Sequence, residues 1–221
     1  MKALLSQTPG GPETLSLVDT PEIAPGKGEV AIRVAAVGLN YPDLLIIRDL
    51  YQFKPPRPFA PGSECAGVIE AIGEGVEGVK PGDRVLAVTG WGALAERVVT
   101  TAAGRITVIP DAMPFTDAAA FLMTYGTSYH ALSARAALKP GETLLVLGAA
   151  GGVGLAAVEL GKALGARVIA ACSSQAKLDI ALAAGADDGL VYPTSIAGKD
   201  DSRALAEAFK TACGKNGADV I

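Results

Sequence analysis

Gly151, Gly152 and Gly154 fall within four positions of one another, just after the apolar run Leu144 to Leu147. That run suits a strand covered on both faces. Glycine lacks a Cβ, so the backbone can turn tightly there and approach a ligand with no side chain in the way. The stretch that follows reads as a helix, whose first N–H groups are unpaired and whose dipole is positive at that end. Such an end suits a pyrophosphate. The chemistry implied is dinucleotide binding by Ala149, Ala150, Gly151, Gly152, Val153 and Gly154. In the G-x-G-x-x-G frame these positions read Ala149, Gly151 and Gly154, with alanine at the first glycine. The competing reading is a helix–strand contact with no ligand. It is the weaker one, because three glycines make a poor helix start unless something else requires them.

A second apolar run, Arg167 to Ala171, ends in Cys172-Ser173-Ser174-Gln175-Ala176-Lys177. Binders of NAD usually place a carboxylate at this edge, about 20 residues past the glycines, for the ribose 2′-hydroxyl. None stands here. Ser173, Ser174 and Lys177 can instead solvate and pair with a 2′-phosphate, which predicts NADP(H) rather than NAD(H). Either serine can also cap the next helix, and capping does not preclude phosphate binding. A carboxylate introduced at Cys172 is expected to shift preference toward NAD.

These groups need elements to hold them. Before residue 110, short β-rich runs alternate with Gly/Pro turns: Lys2 to Ser6, Leu15 to Val18, Glu29 to Leu39, Gly67 to Ile72, Arg84 to Val88, Leu94 to Thr100 and Ile106 to Ile109. Such spacing predicts a barrel-like β domain. The sequence then becomes alanine-rich and helical, over Asp117 to Leu122 and Ser128 to Ala137. From Thr143 strand and helix alternate, as in a parallel sheet covered on both faces. The expected fold is α/β with a β-rich N-terminal domain. Residues 1–115 form the catalytic and substrate domain, 116–140 a helical connector, and 141–221 the N-terminal half of a doubly wound cofactor domain.

Composition excludes several classes. The 221 residues are 50% hydrophobic and carry a net charge of −4. The acidic balance argues against nucleic acid and anionic membrane surfaces as partners. Glycines and charges break every apolar stretch that approaches a membrane span. The N-terminus lacks a signal peptide's apolar core, so a cytoplasmic protein is expected. Cys65, Cys172 and Cys213 are far apart and suggest neither a disulfide framework nor a structural zinc site.

The β-rich region followed by A-x-G-x-x-G resembles the medium-chain dehydrogenase/reductase superfamily. Pro61-Gly-Ser-Glu-Cys-Ala-Gly-Val68, continuing to Gly82-Asp-Arg-Val85, is similar to that superfamily's G-x-E-x-x-G-x-V…G-D-R-V signature. The resemblance implies a GroES-like, partly open β-barrel followed by a Rossmann doubly wound sheet. Zinc-dependent members carry a cysteine and a histidine where this chain has Asn40 and Ser63, neither of which supplies the thiolate or imidazole that zinc prefers. No metal is expected. The zinc-free pattern, Val37-Gly-Leu-Asn-Tyr-Pro-Asp43 and Tyr51 to Glu64, resembles the quinone oxidoreductase (zeta-crystallin-like) subfamily.

That resemblance implies hydride transfer from NADPH to a small-molecule quinone or enone, with a homodimer for the complete protein. It places Asn40 as an amide donor near the nicotinamide and Tyr51 at the active site, protonating an enolate or hydrogen-bonding the substrate. It places Thr127 near the cofactor. On the residues alone, Asn40 can equally support a turn before Pro42, and Tyr51 can be a packing aromatic. Asp43 and Glu64 read as structural carboxylates. An enoyl-thioester reductase, with slight support from Arg48, Lys54 and Arg57, and a noncatalytic NADPH-binding or structural protein are the alternatives. The chain stops at Gly217 to Ile221, where relatives enter the fourth strand of the cofactor domain. A C-terminally incomplete chain is expected to bind NADPH weakly.

Overall fold

The computed structural model describes residues 1–195 and 198–221. They form two compact units, Met1–Met123 and Thr124–Ile221. The expected connector is divided between them.

In the first unit, β1 (Lys2–Ser6) pairs antiparallel with β2 (Leu15–Asp19). Then come β3 (Glu29–Gly38), α1 (Tyr41–Ile47), β4 (Glu64–Ile72), β5 (Arg84–Val88), β6 (Arg97–Thr101) and β7 (Ile106–Val108). The last five strands form an antiparallel sheet in the order β6-β3-β4-β5-β7. The two sides of this sheet carry different cores. Val30, Ile32, Cys65, Ile69, Val85 and Val98 cluster on one, and Ala66, Leu86, Ile109, Ala118 and Ala119 on the other. The second cluster is closed by α2 (Phe115–Ala119), beside which the Arg84 guanidinium lies 4.0 Å from the Phe115 ring centroid. The centre of the sheet is tight. A Cβ on Gly67 would lie 2.1 Å from the Arg33 carbonyl oxygen, so β4 can run this close to β3 only with glycine there.

The second unit begins in a segment with unusual winding. Leu122–Gly126, which leads into it, is π-helical, α3 (Thr127–Tyr129) is a single turn, and His130–Arg135 is π-helical again. Residues 128–137 were expected to form one regular helix. π-turns are rare and recur at functional sites. Next come β8 (Thr143–Leu147), α4 (Gly152–Ala163), β9 (Arg167–Cys172), α5 (Gln175–Ala183), β10 (Asp188–Val191) and α6 (Lys199–Cys213).

The three strands are parallel in the order β10-β9-β8. On the far side of β8, Val220 forms a parallel bridge with Leu144, and Leu145 N–H donates to the Val220 carbonyl at 2.9 Å. The chain thus extends outward from β8 to β9 to β10, then returns to the opposite edge of β8. Leu144, Val146, Val168 and Ala170 pack with Val158 of α4 and Leu178 of α5. Leu145, Ile169 and Ala171 pack with Phe209 and Cys213 of α6. Helices therefore cover both faces, which is why these strands read as unbroken apolar runs rather than alternating ones. Among the described residues no helix is long and apolar enough to cross a membrane.

Candidate functional site

The reversal of chain direction around β8 makes its carboxyl end a topological switch point, where open parallel sheets leave a crevice. Gly148 turns the chain out of β8 with φ +64°, a conformation that favours glycine. Gly151 caps α4 in extended conformation. Gly154 is where the helix meets the turn. A Cβ there would lie 2.4 Å from the Gly148 carbonyl oxygen and 2.8 Å from Ala149 Cα, both backbone atoms that cannot yield. At Gly151 the nearest atom would be 3.4 Å away. Gly154 is therefore demanded by backbone packing, whereas a Cβ on Gly152 would crowd only the Thr124 side chain, at 3.1 Å. The other two leave the turn bare.

The amides divide in the same way. Ala149 is fully buried and its N–H is spent on the Ala171 carbonyl at 3.3 Å, so it belongs to the packing beneath the turn. Gly151 N–H is spent on Gly148 at 2.9 Å. Gly152, Val153 and Gly154 are the first residues of α4, and their N–H groups have no acceptor among the described residues. With Ala150, whose N–H likewise has no acceptor among the described residues, these are the amides left for an anion. Gly152, Val153 and Gly154 line a cavity of about 600 Å³ with Thr127, Ala131, Leu132 and the β8 residues Leu144–Leu147.

Thr127 lines the same cavity as the glycine turn. Ser128, beside it, is buried and donates to the Val153 carbonyl at 2.9 Å, fastening α3 to the first turn of α4. One turn further along α4, the Tyr125 hydroxyl donates to Glu159. That hydrogen bond, more than burial, pushes the Tyr125 phenol up to about 12. The sequence carried no cue to either fastening, since both depend on how the π-turns rotate these side chains.

The β9 edge forms a second cavity of about 250 Å³, lined by Gly148, Ala150, Gly151, Cys172, Ser173, Lys177 and Tyr192. The two serines take separate roles. Ser174 is the N-cap of α5 and accepts Lys177 N–H at 3.4 Å. Ser173 faces the cavity, and Lys177 Nζ donates to its hydroxyl at 3.1 Å. Tyr192 was not anticipated. It follows β10, where its N–H pairs with the Cys172 carbonyl at 2.8 Å, and its place just past a parallel strand was the available signal. Cys172 is 1% exposed and packs in the core beneath α4 and α5. Cys172 borders the cavity from within that core, where a carboxylate would be costly to bury, so the half-buried Ser173 is the better position to test cofactor preference.

The first unit holds Asn40 at the start of α1 and Tyr51 in the bend four residues past its end. Asn40 caps the helix in a capping box with Asp43, its N–H donating to Asp43 Oδ2 at 2.9 Å. Its side-chain amide donates to Glu64 Oε1 at 2.9 Å and to the Gly38 carbonyl at 3.4 Å. The turn-supporting role is therefore real. The expected outward amide donor is not available, because both hydrogens are used internally. Ser63 donates to the other oxygen of Asp43. The sequence reading missed α1, although Pro42 in its first turn and Asp43 three residues after Asn40 are start signals.

Tyr51 is half-buried. Its ring packs on the cluster of Ile46, Ile47 and Phe59, and meets Phe53 edge-on at 5.2 Å. Its hydroxyl has no hydrogen-bond partner among the described residues, which leaves it free for a ligand.

Two family models match the chain. The alcohol dehydrogenase GroES-like domain covers residues 26–111, and the zinc-binding dehydrogenase model covers residues 152–221. The chain is 38% identical to quinone oxidoreductase-like protein 2 of Rattus norvegicus over 203 residues, covering 90% of this chain and 55% of the relative. It therefore spans about half the length of that relative. A probable oxidoreductase from Mycobacterium abscessus superposes with TM-score 0.82 at 39% identity, over 97% of this chain and 67% of that one. Escherichia coli quinone oxidoreductase complexed with NADPH superposes with TM-score 0.86 at 33% identity, over 96% and 62%. A GroES-like β unit, a parallel sheet with a glycine turn, and these likenesses along both units establish that the chain belongs to the medium-chain dehydrogenase/reductase superfamily.

Proposed function

We propose that the protein is an NADPH-dependent reductase of quinones or α,β-unsaturated carbonyls that works without a metal. One observation carries the reading. A single unit presents three free amides at a helix start and, at the next strand edge, a serine–lysine corner with no carboxylate. The first suits a pyrophosphate, the second a 2′-phosphate.

Bound NADPH supplies a hydride. The chain's own groups bind and orient. Gly152, Val153 and Gly154 N–H groups hold the pyrophosphate, Ser173 and Lys177 receive the 2′-phosphate, and Thr127 borders the same cavity. Reduction of a quinone takes the hydride and one proton to give a hydroquinone and NADP⁺. In an enone the hydride goes to the β-carbon and the proton to the α-carbon. Tyr51, with a free phenol on a packed ring, is the proposed proton donor. Asn40, the N-cap of α1 in the same unit, is a further proposed ligand-binding group. We also propose the division into a catalytic domain over 1–115, a connector over 116–140 and a cofactor domain over 141–221.

The zinc named by the family description does not fit these residues. At the two positions where zinc-dependent members carry cysteine and histidine stand an amide and a hydroxyl, each already donating to a carboxylate. Neither is a ligand of the kind zinc selects. No step is routed through it.

The test is a fluorescence titration of the chain with NADPH and NADH, followed by NADPH oxidation over a panel of quinones and enones. Saturable binding of NADPH in preference to NADH is expected. Equal binding of both refutes the assignment of the Ser173–Lys177 corner. Binding without oxidation of any acceptor favours a noncatalytic role.

A further inference from the structure

Arg57 donates in three directions. Its Nη1 donates to Asp49 Oδ1 at 2.7 Å, its Nη2 to the Ile47 carbonyl at 2.9 Å, and its Nε to the Ser6 hydroxyl at 3.3 Å. The guanidinium also lies beside the Phe59 ring, 5.3 Å from its centroid. Both anchors are fixed. Ser6 is fully buried at the end of β1 and exchanges main-chain hydrogen bonds with Phe59, at 2.8 and 3.3 Å. Ile47 is the last residue of α1, where a helix leaves its final carbonyls without partners of its own.

Between these anchors, residues 49–57 form one arc. It opens at Asp49, whose φ of +57° is left-handed backbone that a residue other than glycine keeps only when its surroundings hold it. Two residues later it carries Tyr51, whose ring packs on Ile46, Ile47 and Phe59. The ion pair joins the first residue of the arc to its last. Arg57 is not waiting for a ligand. Its side chain is 16% exposed, and each of its three nitrogens already donates. It is thereby withdrawn from the cations that lent slight support to an enoyl-thioester reductase.

We propose that Arg57 is the positioning residue for Tyr51: it closes the arc and so determines where the phenol is delivered. This rests on the reading of Tyr51 as proton donor. The planar fork matters here, since the point charge of a lysine does not reproduce three donors spread over three partners.

Arg57→Leu keeps an apolar side chain against Phe59 and removes every donor. It is expected to lower enone turnover about tenfold to a hundredfold, in kcat rather than KM, with NADPH affinity unchanged. In a Tyr51→Phe background the same substitution is expected to lower turnover no further. A purely structural role acts in both backgrounds, so equal losses overturn the proposal.

Amide hydrogen exchange reads the arc without turnover. Leu50 N–H donates to the Leu45 carbonyl at 2.9 Å, and Arg57→Leu is expected to speed its exchange about tenfold while the amides of β4 keep their rates. Unchanged exchange at Leu50 overturns the proposal. Asp49→Asn takes the place of Arg57→Leu in both measurements if that variant fails to fold. Asparagine tolerates left-handed backbone and keeps an oxygen for the guanidinium, so the same pattern is expected with smaller effects. Unaltered turnover by Tyr51→Phe refutes the proton-donor reading instead, and the exchange measurement then decides alone whether Arg57 holds the arc.

Discussion

Lys177 Nζ donates to the Ser173 hydroxyl across 3.1 Å, joining the end of β9 to the first turn of α5. Both groups line the small cavity beside the glycine turn. Removing the ammonium by Lys177→Ala is expected to weaken NADPH about tenfold to a hundredfold, the worth of a charge-assisted hydrogen bond. NADH has no 2′-phosphate and its affinity should hold. Ser173→Asp should go further and reverse the preference, because a carboxylate repels the phosphate and accepts from a ribose hydroxyl. Paired fluorescence titrations decide it, and a parallel loss of both cofactors counts against the corner.

Gly154 and Gly151 look alike in the sequence and differ in the structure. Gly154→Ala forces a methyl into the backbone of Gly148 and Ala149, and is expected to cost about 1–3 kcal/mol of stability. Gly151→Ala meets only an ordinary contact and should stay within about 0.5 kcal/mol of the parent. Denaturant unfolding of the two variants measures the gap. Equal midpoints would show that the helix does not lie this close to the turn.

Tyr51 carries two separable functions, a packed ring and a free phenol. Tyr51→Phe keeps the ring, so stability should be unchanged, while enone turnover falls about a hundredfold if the phenol supplies the proton. Tyr51→Ala should in addition cost about 2 kcal/mol for the half-buried ring. Unaltered turnover by Tyr51→Phe removes it as proton donor.

Burial pushes the Cys65 thiol up from 9.0 to about 12, and the neighbouring Glu64 charge adds to the effect. A raised value in the folded state means that this group is neutral to stability below pH 9. Between pH 9 and 12 the unfolded thiol ionises and the folded one does not, so stability is lost as pH rises. At pH 8 Cys65 should resist thiol reagents in the native protein and react at once in denaturant. Titration with a chromogenic disulfide reads this directly, and native-state labelling of Cys65 would contradict its burial.

The strands of the first unit were legible because their apolar residues alternate and Gly/Pro turns separate them. β1 and β5 match the expected limits, and β3 and β7 differ by one residue. β4 begins at Glu64, three residues before Gly67, because a buried carboxylate interrupts the apolar pattern that marks a strand. The glycine turn was legible because its residue types admit few other uses. The orientation of Asn40 was not, since it depends on Glu64, 24 positions away, and on which atom of an amide a carboxylate selects. Tyr192 escaped for a similar reason. It joins the cavity through the sheet order, and no local spacing encodes that.

Ser173 and Ser174 are adjacent hydroxyls with different employers, one facing the cavity and the other ending α5. Because the helix does not rely on the cavity-facing residue, position 173 is free to vary while the helix start stays intact. Nucleotide choice and fold integrity are thus inherited separately at this corner. A lineage carrying it could exchange one nicotinamide cofactor for the other by small steps, each of them a folded protein.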